Sequence, residues 1–373
     1  MRFPFKAFLL FLFTVSAFSQ TLSDKARVSL ITCGKGDQLY SLFGHTALRI
    51  NDPVTGIDRV YNYGTFDFRT PNFVLRFVKG DMQYFASASS FNDFIYEYQY
   101  DKRSVFEQLL NFPQDKKQVL FDRLNKSLQG PEKFYTYKFL DNNCTTKVME
   151  LINDVLGSKV LKKVGNKEVS YRDLMYTGFE GHFFEQWGTS LFFGPKVDRK
   201  AENIFLPIEL WESVNAAQYR NKPLLEKNIS WLVFDDPVMP FSIWNNVFVY
   251  LIFLALLVFW RNKTLVLSYF TIVSLLGAFF CFQGLYSFHE ELKWDYNALL
   301  VNPLLFGLVI AYLRKSDRQL FIWSWINLIC LLLYLGCMIT KIHLLIMLPM
   351  IVAHGIILLT WALQSRKRLK VDR

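Results

Sequence analysis

The sequence predicts an α+β domain exported across a membrane, followed by an all-α bundle of five transmembrane helices. Three observations carry this. A short apolar run follows Arg2 and Lys6 at the N-terminus. The next two hundred or so residues change from strand-like alternation to helix-like spacing. Beyond Pro240 the chain is dominated by long apolar stretches. The chain has 373 residues, 52% of them hydrophobic and 17% aromatic, a high share for a soluble protein.

The run Ala7–Phe13 with Ala17-Phe18-Ser19 behind it reads as a secretory signal over residues 1–19, cut after Ser19, because it is too short to span a bilayer. Residue 20 is Gln, so the new N-terminus is not a lipidated cysteine. Residues 20–240 are long enough for one domain with its own core. Val28–Ile31, Thr46–Ile50 and Arg59–Tyr63 alternate as strands. Turn residues at Cys33–Asp37 and Asn51–Gly56 separate them, so the last two strands should form a hairpin. His45 then starts one strand, and Asn62 sits near the end of its neighbour. Phe106–Leu110 and Asp115–Leu128 are expected to be helical from their apolar spacing. Gly130-Pro131 breaks the pattern before the aromatic strand Phe134–Tyr137. A helix begins at Cys144, with Val148, Leu151, Ile152, Val155 and Leu156 on one face, Asn142 and Asn143 as capping residues, and Gly157 as its stop. Residues 158–240 are mixed; His182 in this stretch reads as structural.

Residues 241–373 form the membrane region. Five apolar stretches, near Phe241–Trp260, Thr264–Leu285, Ala298–Leu313, Leu320–Ile339 and Ile342–Leu363, are the expected spans. The segments Arg261–Lys263, Arg314–Gln319 and the tail from Gln364 together hold ten Lys and Arg. Loops of the other parity hold Lys293 and Lys341 beside Glu290, Glu291 and Asp295. The positive-inside rule puts the first set in the cytoplasm. The expected location is the inner membrane, with the domain in the periplasm and the C-terminus in the cytoplasm. The net charge of +10 is then mostly topology: residues 241–373 carry +7 and the signal +2. Nucleic acid is not an expected partner.

Of five cysteines, Cys281, Cys330 and Cys337 fall in the expected membrane helices. Cys33 and Cys144 lie in the exported domain, where a disulfide between them is one reading. The other makes Cys144 a nucleophile with His45 as its base. At a helix start, free N–H groups and the helix dipole favour a thiolate. No Cys/His spacing suggests zinc.

A cysteine at a helix start facing a strand histidine resembles the papain-like layout. Here His45 precedes Cys144 by 99 residues, which resembles the circularly permuted branch that includes lecithin:retinol acyltransferase. In that branch a polar residue on the following strand orients the imidazole, which points to Asn62, with Asn142 second. The motifs Thr32-Cys33-Gly34, Leu39–Arg49, Tyr61–Phe68 and Asp141–Thr146 resemble the exported domain of the Lnb family of lipoprotein N-acyltransferases. The resemblance implies transfer of a fatty acyl chain from a phospholipid to the N-terminal amine of a diacylglyceryl-cysteine lipoprotein. Catalytic residues would be Cys144, His45 and Asn62, with no cofactor and no metal. In the membrane region, His289 and Asn302 are candidates for holding a lipid headgroup or lipoprotein anchor, since polar groups at membrane depth are costly. Two alternatives stay open: a membrane-tethered cysteine amidase or peptidase acting on cell-wall peptides, and a non-enzymatic envelope module that binds lipid.

Overall fold

The computed structural model describes residues 20–165, 168–260 and 262–371. The expected signal segment, 1–19, lies outside the described residues. The chain is a mixed α/β structure, an N-terminal sheet domain followed by helices. The strands are β1 (Arg27–Cys33), β2 (His45–Asp52), β3 (Ile57–Thr65), β4 (Gln83–Ser90), β5 (Val105–Leu110), β6 (Phe134–Thr136), β7 (Gln218–Tyr219), β8 (Lys222–Pro223) and β9 (Leu225–Leu232). The helices of the sheet domain are α1 (Phe73–Lys79), α2 (Phe91–Tyr100), α3 (Gln114–Lys126), α4 (Cys144–Leu156), α5 (Tyr171–Tyr176), α6 (Phe183–Phe192) and α7 (Pro207–Ala216). Those beyond it are α8 (Val247–Phe259), α9 (Lys263–Tyr286), α10 (Leu305–Leu313), α11 (Asp317–Met338) and α12 (Leu344–Val371).

Seven strands form one sheet in the order β6-β4-β3-β2-β1-β5-β9, antiparallel throughout. Both faces are covered, and the period of two along each strand sorts the residues. Val28, Leu30, Leu48, Ile50 and Tyr61 pack with Leu120 and Phe121 of α3, Val148 and Ile152 of α4 and Leu210 of α7. Ile31, Cys33, Ala47, Val60 and Val105 face Phe91, Phe94 and Tyr98 of α2. On this second side the Arg49 guanidinium lies 3.3 Å from the Phe91 ring centre and bridges Asp58 and Glu107.

The expected hairpin of β2 and β3 is present, as are the helices at Gln114–Lys126 and Cys144–Leu156. Phe106–Leu110 is not helical; it belongs to β5, hydrogen-bonded between β1 and β9. Phe106, Leu109 and Leu110 stand at helical spacing around Glu107 and Gln108, but five residues are too few for periodicity to decide, and two flanking strands supplied the partners.

Three helices, α9, α11 and α12, are long and apolar enough to cross a membrane. The other two expected spans are shorter. α8 has 13 residues and α10 has 9, which at 1.5 Å per residue gives roughly 20 Å and 14 Å, less than the roughly 30 Å of a hydrocarbon core. In place of a longer third span, residues Tyr296–Leu299 form a 3-10 turn and Pro303 lies ahead of α10. The basic tail from Gln364 continues α12 to Val371. The helices pack through Phe270, Leu308, Tyr334 and Met347, while Phe253, Leu275, Leu332 and Leu345 point outward, apolar on the exposed side as a lipid-facing bundle is.

The sheet domain is joined to the helices by buried polar contacts. Arg172 Nε donates to Asp198 at 2.7 Å, Tyr296 Oη donates to the same carboxylate at 2.6 Å, and Lys341 reaches it at 3.3 Å. Gly194 N donates to Glu291 O at 2.8 Å.

Candidate active site

Strand register explains how the histidine and asparagine meet. Ala47 lies opposite Asn62 across the β2–β3 ladder. His45, two residues back from Ala47, shares its face and is the diagonal neighbour of Asn62, within reach of a long side chain. His45 Nε2 and Asn62 Oδ1 are 3.1 Å apart. The amide oxygen only accepts, so Nε2 carries the proton and Nδ1 is left as the basic nitrogen. The chain enters β2 through Gly44, whose φ is +78°; a Cβ there would lie 2.4 Å from Cys33 O. Only glycine fits this close approach, and it sets where His45 begins.

Cys144 is the first residue of α4. Asn143 caps the helix: its side chain accepts the Thr146 N–H at 3.0 Å, and Thr146 Oγ1 accepts the Asn143 N–H at 2.8 Å. This is a capping box with threonine in place of the usual Glu or Gln. Asn143 Nδ2 also donates to Phe139 O and Phe205 O, each at 2.8 Å. Thr46 and Thr145 join the two elements through their hydroxyls at 3.1 Å.

The Cys144 thiol is half-buried, with the Thr145 hydroxyl 3.9 Å from its sulfur, and the nearby His45 imidazole is the main group that lowers it. Burial opposes ionisation of Cys144. The charge and hydrogen bond of His45, with hydrogen bonds from the Thr46 backbone and the Thr145 hydroxyl, outweigh it and hold the thiol below its ordinary value. His45 moves the opposite way. Burial disfavours its charged form, but the Cys144 sulfur and the Asn62 bond raise it above its ordinary value. Together these favour a thiolate–imidazolium pair.

Cys33 and Cys144 are both free, so no disulfide joins them. Cys33 faces the α2 side of the sheet, and burial pushes its thiol up to about 12; it is an inert core thiol. Asn142 does not reach the imidazole, since its amide donates to Thr136 O at 2.7 Å. His182 is buried at the start of α6, 3.7 Å from Glu185.

The structure adds Tyr135, read from sequence only as an aromatic of β6. Its hydroxyl is buried without a hydrogen-bond partner among the described residues. Burial, with the Cys144 sulfur nearby, holds the phenol neutral well above its ordinary value. At Gly64 (φ +100°), a Cβ would lie 3.7 Å from Cys144 Cβ and 3.9 Å from Tyr135 Oη. The Gly64 backbone therefore runs close to both Cys144 and Tyr135. Strand alternation puts Tyr135 and Tyr137 on one face, a signal legible in sequence only once β6 is known to pair with β4.

The two membrane-region candidates do not join this group. His289 Nε2 donates to Phe77 O at 2.8 Å and Nδ1 lies 3.3 Å from Glu291, so both ring nitrogens face protein groups. Asn302 is buried, with Nδ2 donating to Leu299 O at 3.1 Å and Oδ1 unpartnered among the described residues. It sits where the chain crosses Gly277 of α9, whose Cβ would lie 2.3 Å from Val301 O. Among the described residues no group of three or more His, Cys, Asp or Glu is placed to hold a metal ion. A cavity of about 670 Å³ between the β2–β3 turn and β4 includes none of His45, Asn62 and Cys144.

Fold and site together define a membrane-associated protein whose sheet domain carries a thiol–imidazole pair. Residues 15–176 match the family described as the Lnb N-terminal periplasmic domain. The match takes in His45, Asn62, Tyr135 and Cys144 and ends at α5, ahead of the apolar helices. No curated protein and no solved structure matches the chain.

Proposed function

We propose that the chain is a lipoprotein N-acyltransferase of the inner membrane. Its sheet domain would face the periplasm and its basic tail the cytoplasm. The observation that carries the reading is the line Asn62–His45–Cys144, with a lowered thiol and a raised imidazole, on a domain joined to apolar helices. The likeness of residues 15–176 to the Lnb periplasmic domain supports it, as does the polarity of the basic segments.

In the first half-reaction the Cys144 thiolate attacks an ester carbonyl of a phospholipid. The Thr46 N–H and the free N–H groups of the first turn of α4 are the donors for the oxyanion, with the Tyr135 hydroxyl as a third. Collapse of the tetrahedral intermediate breaks the ester C–O bond. The imidazolium of His45 protonates the departing lysophospholipid alkoxide, leaving a thioester on Cys144. In the second half-reaction the N-terminal amine of a diacylglyceryl-cysteine lipoprotein attacks the thioester carbonyl. His45 takes the amine proton, the C–S bond breaks, and the amide leaves with the thiolate restored. Asn62 keeps the imidazole in the tautomer both halves need. On this reading the order of His45 before Cys144 would be that of the circularly permuted papain-like enzymes.

The test is the intact mass of full-length protein reconstituted with phospholipid, beside Cys144→Ala. A fatty-acyl increment removed by hydroxylamine and missing in the variant is the expected result. A reactive thiol that never gains an acyl chain, but cleaves a cell-wall peptide, would replace this reading with that of a membrane-tethered amidase.

A further inference from the structure

Helix α1 has no buried residue. Phe68, Val74 and Leu75 are exposed over 67%, 69% and 68% of their surface, and Leu39, Tyr40 and Phe77 are also exposed. The aromatic members touch one another. Phe66 lies 6.1 Å from Tyr40, 4.9 Å from Phe68 and 5.9 Å from Phe73, ring centre to ring centre. This is one contiguous apolar surface, of the kind that marks an interaction site.

Its placement identifies the partner. The last carbonyls of α1 are held by the residues that follow the spanning helix α9. Ser287 Oγ donates to Val78 O at 2.9 Å, Phe288 N to Lys79 O at 2.8 Å, and His289 Nε2 to Phe77 O at 2.8 Å. Helix α9 has 24 residues, roughly 36 Å, so its end lies at the bilayer surface when its apolar length is submerged. Helix α1 is thereby locked at that level. Exposed Tyr286 and Phe288, their ring centres 5.6 Å and 5.5 Å from Lys79 Nζ, have the character of an interfacial aromatic belt. Helix α1 contains Arg76 and Lys79 and no acidic residue, and Lys79 pairs with the following Asp81. An apolar face with basic residues near its end suits the boundary between headgroups and acyl chains.

We propose that α1 and the Tyr40–Phe66–Phe68 cluster insert into the leaflet on the sheet domain's side, with phospholipid as their partner. The surface also leads to the thiol. Phe66 is two residues beyond Gly64, where a Cβ would lie 3.7 Å from Cys144 Cβ. The inserted surface thus presents phospholipid next to Cys144. That use of the lipid rests on the acyltransferase reading, whereas insertion itself does not.

The test places a photoreactive benzoylphenylalanine at position 74, 75 or 54 of the full chain in vesicles of phosphatidylethanolamine and phosphatidylglycerol. Val54 is exposed in the β2–β3 turn, at the far end of β3 from Phe66 and roughly 30 Å away along the strand. Phospholipid adducts at 74 and 75, and none at 54, are the expected result. Failure to capture lipid at 74 and 75, adducts to a second copy of the chain there, or equal lipid capture at 54 would overturn insertion. With Val74→Glu and Leu75→Glu combined, acyl loading of Cys144 from vesicles should slow at least about tenfold, given the cost of a carboxylate among lipid chains. Alkylation of Cys144 by iodoacetamide should not change. Unchanged loading would overturn the route to the thiol. If wild-type Cys144 never loads while 74 and 75 still capture lipid, the acyltransferase reading fails and insertion stands.

Discussion

At the residue scale, Cys144 and His45 are tuned by each other. The thiol is lowered and the imidazole raised, so each shift favours the charged form of its group. Iodoacetamide alkylation of Cys144 should therefore rise with pH through a midpoint below the ordinary thiol value of about 8.5. His45→Ala removes the main lowering influences and should move that midpoint upward, while an unmoved midpoint would mean that the imidazole does not control the thiol. Tyr135 makes a different kind of test. A buried hydroxyl without a partner costs stability, so Tyr135→Phe should leave the melting temperature unchanged or raise it. If the phenol donates to the oxyanion, the same variant should load acyl chain on the order of a hundredfold more slowly. His45 and Cys144 were legible in the sequence because each sits in a motif with a local structural reason. Tyr135 was not, because its role depends on a pairing with β4 that no local pattern announces.

At the element scale, the site is a junction between one strand start and one helix start. Gly44 and Asn143 govern the two starts. Gly44→Ala would force a Cβ against Cys33 O, and Asn143→Ala would strip the cap and two further hydrogen bonds. Loss of the cap alone costs about 1 kcal/mol, so Asn143→Ala should lower denaturant stability by at least that much, with β1–β2 protected and α4 exchanging first in hydrogen-exchange measurements. Uniform loss of protection would show that α4 has no local opening of its own. The β2–β3 hairpin and α4 were readable because turn residues, caps and periodicity agree there. The strand β5 departs from the helix that the i, i+3, i+4 spacing of Phe106, Leu109 and Leu110 predicts, because neighbours distant in sequence decided the outcome. The helices α8 and α10 are shorter than the expected spans, because hydropathy measures apolar length, while helix length also depends on breaks such as Pro303.

At the scale of the whole molecule, the sheet domain and the helices share buried charge. Asp295 lies where Gly194 packs on the loop after α9, with Arg172 and Asp198 close by. Burial lifts its carboxyl to about 7, against hydrogen bonds from Asn297 and the charge of Arg172. An unfolded aspartate ionises near 3.9. Between those values the folded chain keeps a proton that the unfolded chain has lost, so the stability present below about pH 4 declines as pH rises to about 7. Asp295→Asn keeps the acceptor oxygen and removes the titration. It should raise the melting temperature of the full chain at pH 8 and leave it unchanged at pH 4. An equal shift at both pH values would exclude ionisation as the cause.

The bond from Ser287 to the α1 carbonyl of Val78 spans 209 residues of chain. At 5 to 20 residues per second, synthesis reaches the second partner roughly 10–40 s after the first. During that interval the rest of the sheet domain, through β9, is made, while the carbonyls of Val78 and Lys79 still lack their partners from the residues after α9. The residues after α9 hold the end of α1, so the placement of α1 waits for the ribosome to reach the membrane helices. A chain stalled before α9 holds both His45 and Cys144 but lacks the residues that fix α1 in place.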